Sequence, residues 1–307
     1  MAFLVAVPDR LAGELTANLL QLDPELDLRT PGRPGDPSEI RFALLWQHPP
    51  GLLARLPNLS AVTSMGAGVD VILEDPDLPA ELPVGRLAGR RLAANMAASL
   101  VAMVVNRWKK IPEFAEYQRK NTWNQWAPEA PPTIGLLGTG AMGRQAAKAF
   151  QALAFPLLGW SRRGRGPAGI EMFSGTAGLY NLAGRADYLI CLLPLTPETR
   201  GILDARLFAR MAEGATVINV GRGGHLMESD LLAALGRGRP AHAILDVFAT
   251  EPLPPEHPFW SHPQITITPH CSSITLPREA AELALESYQR VLAGHPPLGV
   301  VDRQRGY

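Results

Sequence analysis

The stretch TIGLLGTGAMGRQAAKAF, residues 133–150, decides the fold. It opens on a short apolar run, passes Gly138, Gly140 and Gly143 in the spacing Gly-x-Gly-x-x-Gly, and continues with apolar residues at helical intervals. That order reads as strand, tight turn, helix, the context in which the glycine spacing signals a dinucleotide site. Gly138 permits the turn, Gly140 lets the backbone approach a pyrophosphate, and Gly143 allows the helix to pack closely on the strand. The helix that starts at Ala141 and Met142 offers free N–H groups and a partial positive charge to the same anion.

Further candidate strands follow at FPLLGW (155–160), DYLICLLP (187–194), ATVINVG (215–221), HAILDVF (242–248) and ITITPH (265–270). With TIGLLG these make six buried-type strands, and candidate helices at 141–153, 204–211 and 227–238 lie between them. The pattern predicts a doubly wound, Rossmann-type α/β domain. Upstream, FLVAV (3–7), FALLWQ (42–47), LSAVTSM (59–65) and PVGRL (83–87) suggest a second set of βα units, before a helix over about 93–110. The segment NTWNQWAPEAPP (121–132), polar and Trp-rich, precedes the restart of the alternation.

The chain has 307 residues with 46% apolar and 19% charged composition, as in globular proteins. Lysine plus arginine and aspartate plus glutamate each number 29, so no global field gathers nucleic acid or an anionic membrane. The longest mostly apolar stretch beyond the N-terminus, MAASLVAMVV (96–105), is about half a membrane span. MAFLVAVPDR reads as a first strand rather than a signal core, which predicts a cytoplasmic protein. Two cysteines, Cys191 and Cys271, leave no disulfide framework or paired-cysteine metal site.

An NAD site usually carries Asp or Glu roughly 20 residues past the glycine motif, to bond the ribose 2′-OH. That place holds Gly159-Trp160-Ser161-Arg162-Arg163, with Arg165 beyond Gly164 and no carboxylate. A hydroxyl and two guanidiniums suit a 2′-phosphate, which predicts NADP(H) in preference to NAD(H). Arg222 in INVGRGG, Glu251 in LDVFATEPLP and His270 in ITPHCSS each fall just beyond a candidate strand's C-terminal end, where open α/β sheets place ligands. Hydride transfer to a carbonyl needs a proton donor, a group that holds its proton and a cation for the substrate. Histidine, glutamate and arginine supply those three roles.

The motifs SMGAGVD (64–70), GLLGTGAMG (135–143), CLLPLTPETRGI (191–202), INVGRGG (218–224), LDVFATEPLPPEHPFW (245–260), ITPHCSSIT (267–275) and VDRQRGY (301–307) together resemble the D-2-hydroxyacid dehydrogenase family, and within it the NADPH-preferring bacterial glyoxylate/hydroxypyruvate reductases. The resemblance runs over essentially the whole chain. It implies a flavodoxin-like substrate domain, residues 1–94 with 276–307, and a dinucleotide domain, residues 95–275, with the active site in the cleft. It implies that His270 protonates the substrate oxygen beside Glu251 and that Arg222 binds carboxylate and carbonyl oxygens. The backbone N–H groups of Ala67 and Gly68 would hold the same carboxylate, Asp246 would face the nicotinamide amide, and Leu193, Pro194, Asn219, Val220 and Gly221 would line the cofactor's path. Trp46 is the candidate wall at the far end of the substrate, and the family habit is a homodimer with help from Met96, Leu100, Met103 and Val104.

Two departures stand out. Ala94-Asn95-Met96 replaces the frequent Glu-x-Met before the long helix, and Cys271-Ser272-Ser273 replaces small residues after the histidine. A reductase of bulkier 2-oxo acids and a non-catalytic NADP(H)-sensing protein are the other readings, and an NADPH oxidation assay separates all three.

Overall fold

In a computed structural model, residues 1–126 and 130–307 are described. The chain divides into two compact units: Met1–Leu92 with Ile274–Tyr307, and Ala93–Ser273.

The first unit carries β1 (Ala2–Ala6), β2 (Leu28–Arg29), β3 (Ile40–Leu45), β4 (Ala61–Ser64) and β5 (Val84–Arg86), all parallel in the order β2-β1-β3-β4-β5. This is the flavodoxin-like order. Leu4, Ala43, Leu45 and Val62 face one apolar layer; Phe3, Phe42, Leu44 and Tyr288 face the other. The chain's last helix, Pro277–Leu292, packs beside Asp9–Leu22 and brings Tyr288 onto Phe3 and Phe42, ring centroids 5.2 and 5.8 Å away. A segment remote in sequence thereby completes this unit's core.

The second unit carries β6 (Ile134–Leu137), β7 (Leu157–Trp160), β8 (Glu171–Phe173), β9 (Tyr188–Cys191), β10 (Thr216–Asn219), β11 (His242–Leu245) and β12 (Ile265–Ile267). Their order is β12-β11-β10-β9-β6-β7-β8, all parallel, so the chain winds one way from β6 and then the other way from β9. β6, β9 and β10 are buried at every residue, as expected of strands covered on both faces by helices.

Two expectations are corrected. The sheet has seven strands rather than six, because the three-residue edge strand β8, with Glu171 exposed, gives almost no apolar signal. β12 is the opposite edge and only half-buried, with Thr266 exposed. The long helix starts at Arg90 and ends at Trp108, before Lys110 turns left-handed at φ 53°. Its residues Met96, Leu100 and Val104 are buried against Ile134, Leu136 and Phe150, with Met103 packed on the same cluster, so the stripe expected at a dimer contact belongs to the core.

Candidate functional site

Parallel strands end on one side of the sheet, and the loops that leave β7, β6, β9, β10, β11 and β12 carry every candidate group of the second unit. The reversal of winding lies between β6 and β9, the position where such sheets open a ligand crevice.

The glycine turn follows β6. Gly138 has φ +102°, accessible to glycine but strained for other residues, and its N–H donates to the Trp160 carbonyl at 2.9 Å. A Cβ on Gly143 would stand 2.0 Å from the Gly138 carbonyl oxygen, so the helix Ala141–Ala152 starts closer to the strand than any side chain allows. A Cβ on Gly140 would meet nothing within 4 Å, and no side chain caps this helix start. The donors of Ala141, Met142 and Gly143 therefore stand at an open helix N-terminus, the arrangement that takes a pyrophosphate.

Ser161, Arg162 and Arg163 follow β7. The two arginines are exposed, while the Ser161 hydroxyl donates to the Arg165 carbonyl at 2.9 Å and accepts the Arg165 N–H at 3.0 Å. Ser161 is thus engaged within its own turn. Leu193 and Pro194 follow β9, Leu193 buried and Pro194 half-buried.

After β10, buried Asn219 shapes the turn that presents Arg222. Its Nδ2 donates to the Arg222 carbonyl at 2.9 Å and its Oδ1 accepts the Gly221 N–H at 3.2 Å, enclosing Val220. Arg222 Nη1 donates to the Gly221 carbonyl at 2.9 Å. Fully buried His225, which the sequence reading passed over, accepts the Arg222 N–H on Nδ1 at 3.0 Å and sets Nε2 3.2 Å from the Pro194 carbonyl. Its three-residue offset from Arg222 was the available signal. A Cβ on Gly223 would stand 1.9 Å from the Phe248 carbonyl carbon, so the loops after β10 and β11 abut backbone to backbone.

After β11 and β12 come Glu251 and His270, with His270 Nδ1 2.6 Å from Glu251 Oε2. Glu251 Oε1 accepts the Phe248 N–H at 3.0 Å. Burial pushes the Glu251 carboxyl up, but the hydrogen bonds from His270 and Phe248 and the charges of His270 and Arg222 outweigh it and hold the group below the usual carboxylate range.

Asp246, fully buried, grips the backbone that follows β12. Its Oδ1 accepts the Thr268 hydroxyl at 2.6 Å and the Cys271 and Ser272 N–H groups at 3.0 and 3.2 Å, and its carbonyl accepts the His270 N–H at 2.8 Å. This network sustains His270 at φ 51°, a left-handed conformation that non-glycine residues seldom adopt. The side chain expected to face the nicotinamide amide therefore also fixes the histidine's backbone.

In the first unit, Trp46, Ala67 and Gly68 follow β3 and β4. The Ser64 hydroxyl donates to the Gly68 carbonyl at 2.6 Å and folds Ala67 and Gly68 into a tight loop. A Cβ on Gly66 would stand 2.8 Å from Trp46 Cζ3, so the indole lies flush against this loop.

Among the described residues there is no cluster of histidine, cysteine, aspartate and glutamate that could hold a metal, and no helix is long and apolar enough to cross a membrane.

Residues 101–272 match the family model of the D-isomer specific 2-hydroxyacid dehydrogenase NAD-binding domain. The chain is 40% identical over 303 residues to glyoxylate/hydroxypyruvate reductase A of Serratia proteamaculans, covering 96% of each chain. It superposes with TM-score 0.93 and 37% identity on a D-isomer specific 2-hydroxyacid dehydrogenase from Xanthobacter autotrophicus, solved with NADPH and MES, over 100% of this chain and 99% of that one. The score is again 0.93, at 34% identity over the whole of both chains, with an NADPH-dependent glyoxylate/hydroxypyruvate reductase from Sinorhizobium meliloti in complex with NADP and sulfate. With a relative 40% identical over nearly its whole length and the family model matched over more than half of its residues, the chain belongs to the D-isomer specific 2-hydroxyacid dehydrogenase family.

Proposed function

We propose that the protein reduces small 2-oxo acids, glyoxylate and hydroxypyruvate, to 2-hydroxy acids with NADPH. The observation that carries this reading is the His270–Glu251 pair, on the same sheet edge as Arg222 and the open glycine turn. The uncapped helix start at Ala141 and the space before Gly140 fit the pyrophosphate, and the exposed guanidiniums of Arg162 and Arg163 fit a 2′-phosphate. Leu193, Pro194 and Asn219 to Gly221 stand on the two loops beside that turn, where the rest of the dinucleotide would run. The relatives from Serratia and Sinorhizobium, named for this reaction, support the assignment.

NADPH, when bound, supplies a hydride to the carbonyl carbon. Arg222 binds the substrate carboxylate and polarises the carbonyl oxygen, and in the first unit the Ala67 and Gly68 N–H groups form a small nest of the kind that accepts an anion. Glu251 occupies His270 Nδ1, which leaves Nε2 to pass a proton to the carbonyl oxygen as negative charge develops there. Glu251 remains ionised and stabilises the ring while it carries that proton.

The enzyme works as a cytoplasmic homodimer in this reading, in keeping with two free cysteines. Val101, Val105 and Trp108 of the helix Arg90–Trp108, half-buried at the margin of the core, line an apolar depression of about 610 Å³ with Leu153 and Phe155. Light scattering at micromolar concentration checks the dimer, and a stable monomer would refute it. Steady-state NADPH oxidation over a panel of 2-oxo acids tests the function: glyoxylate and hydroxypyruvate should lead, and no turnover on any 2-oxo acid would leave a nucleotide-sensing protein instead.

A further inference from the structure

We propose that Thr139 is a positioning residue for cofactor choice, its hydroxyl tying the glycine turn to the arginine turn. This rests on the NADPH reading given above. Thr139 follows Gly138 and is nearly buried, at 6% exposure. Its Oγ1 donates to the Arg165 carbonyl at 2.8 Å. The same carbonyl accepts the Ser161 hydroxyl at 2.9 Å, and Ser161 Oγ takes the Arg165 N–H at 3.0 Å. Two hydroxyls from the loops of adjacent strands thus occupy both lone pairs of one oxygen.

The consequence is a five-residue turn closed at each end. The Ser161 N–H donates to Phe173 at 3.1 Å, the Gly164 N–H donates to Ser161 at 3.0 Å, and Gly164 supplies the left-handed residue at φ +61°. Arg162 and Arg163 lie between these anchors. Fixing their backbone in advance leaves only side-chain freedom to be lost when they meet a phosphate. The position between the first two glycines of the motif is open to many residues as far as the pyrophosphate is concerned. A hydroxyl there, aimed at the neighbouring loop, acts on the groups that read the 2′-phosphate.

Dissociation constants for NADPH and NADH, measured by titration calorimetry on the whole protein, test the proposal with Thr139→Val and Thr139→Ser. A net hydrogen bond corresponds to about three- to tenfold in an equilibrium constant, so the valine variant should lower the NADPH-over-NADH preference by roughly that factor. Serine should restore it, and 2′,5′-ADP, which lacks the nicotinamide, should weaken with valine in step with NADPH. An unchanged preference in Thr139→Val, equal losses for both cofactors, or no rescue by serine overturns the role of Thr139. Arg162→Ala and Arg163→Ala in the same titration separate the two levels. If they abolish the preference while valine leaves it intact, only the Thr139 inference fails. If they leave it intact, the NADPH reading fails and takes the inference with it.

Discussion

His270 Nδ1 stands 2.6 Å from Glu251 Oε2, although the two residues are 19 positions apart and leave different strands. β11 and β12 pair in parallel with Leu245 beside Ile267, so both loops emerge on one edge, and Asp246 clamps the second loop from the start of the first. The pair is a product of register as much as of side-chain chemistry.

Replacing Glu251 by Gln keeps the shape and removes the charge. Because the carboxyl is held below its ordinary range, the pair's contribution to stability is complete above the unfolded value of about 4.3 and is lost as pH falls through the lower folded value. Denaturant unfolding at pH 7 should find Glu251→Gln less stable than the unaltered protein, with the gap closing as pH falls below the ordinary carboxylate range. A gap that stays constant with pH would contradict the depressed carboxyl. Turnover at pH 7 should fall roughly 10²-fold or more, as expected when general acid catalysis loses its support.

Arg162→Ala and Arg163→Ala should each raise the Michaelis constant for NADPH and leave that for NADH nearly unchanged. Charge-assisted hydrogen bonds contribute about 1.5–3 kcal/mol each, so two contacts support roughly 10²–10⁴ in selectivity. Arg165→Ala should change little, since the structure uses Arg165 through its main chain. Equal losses with both cofactors would mean that the turn supports the fold without reading a phosphate.

Gly223→Ala puts a methyl 1.9 Å from the Phe248 main chain, where nothing flexible can yield. Overpacking of this kind costs about 1–3 kcal/mol, and here it also drives apart the loops that carry Arg222 and Glu251. Thermal unfolding should show the lower stability, and kcat/KM for glyoxylate should fall by more than cofactor affinity does. Unchanged kcat/KM would show that the two loops need not touch.

Much of this was legible in the sequence, and the losses have physical causes. Strands β6, β9 and β10 are buried on both faces, so their apolar runs stood out; Glu171–Phe173 is a half-exposed edge of three residues and did not. The glycine spacing located the open helix start because its constraint is local, a Cβ at Gly143 colliding with Gly138. Thr139 was invisible as a positioning group, since it acts across strands on the Arg165 carbonyl, which no spacing rule connects to it, whereas His225 acts within its own turn on the Arg222 N–H and left only a three-residue offset as its trace. The stripe Met96, Leu100 and Val104 was periodic, but periodicity does not say which layer a helix faces, and here it faces the sheet.

Trp46 packs on the first unit's core and against Gly66, beside the Ala67–Gly68 loop. Trp46→Ala should admit bulkier 2-oxo acids, raising their kcat/KM relative to glyoxylate by about 10–200-fold, the range that one or two methylenes' worth of pocket commands. Selectivity unchanged in a variant that still folds would assign Trp46 to the core alone.

The most direct test of the account is NADPH consumption with glyoxylate by the unaltered protein and by His270→Ala, measured side by side with NADPH affinity. The account predicts turnover by the former, a loss on the order of 10²–10⁴-fold in kcat for the latter, and nearly equal NADPH dissociation constants for the two. Near-normal turnover by His270→Ala would contradict the assignment of His270 as the proton donor.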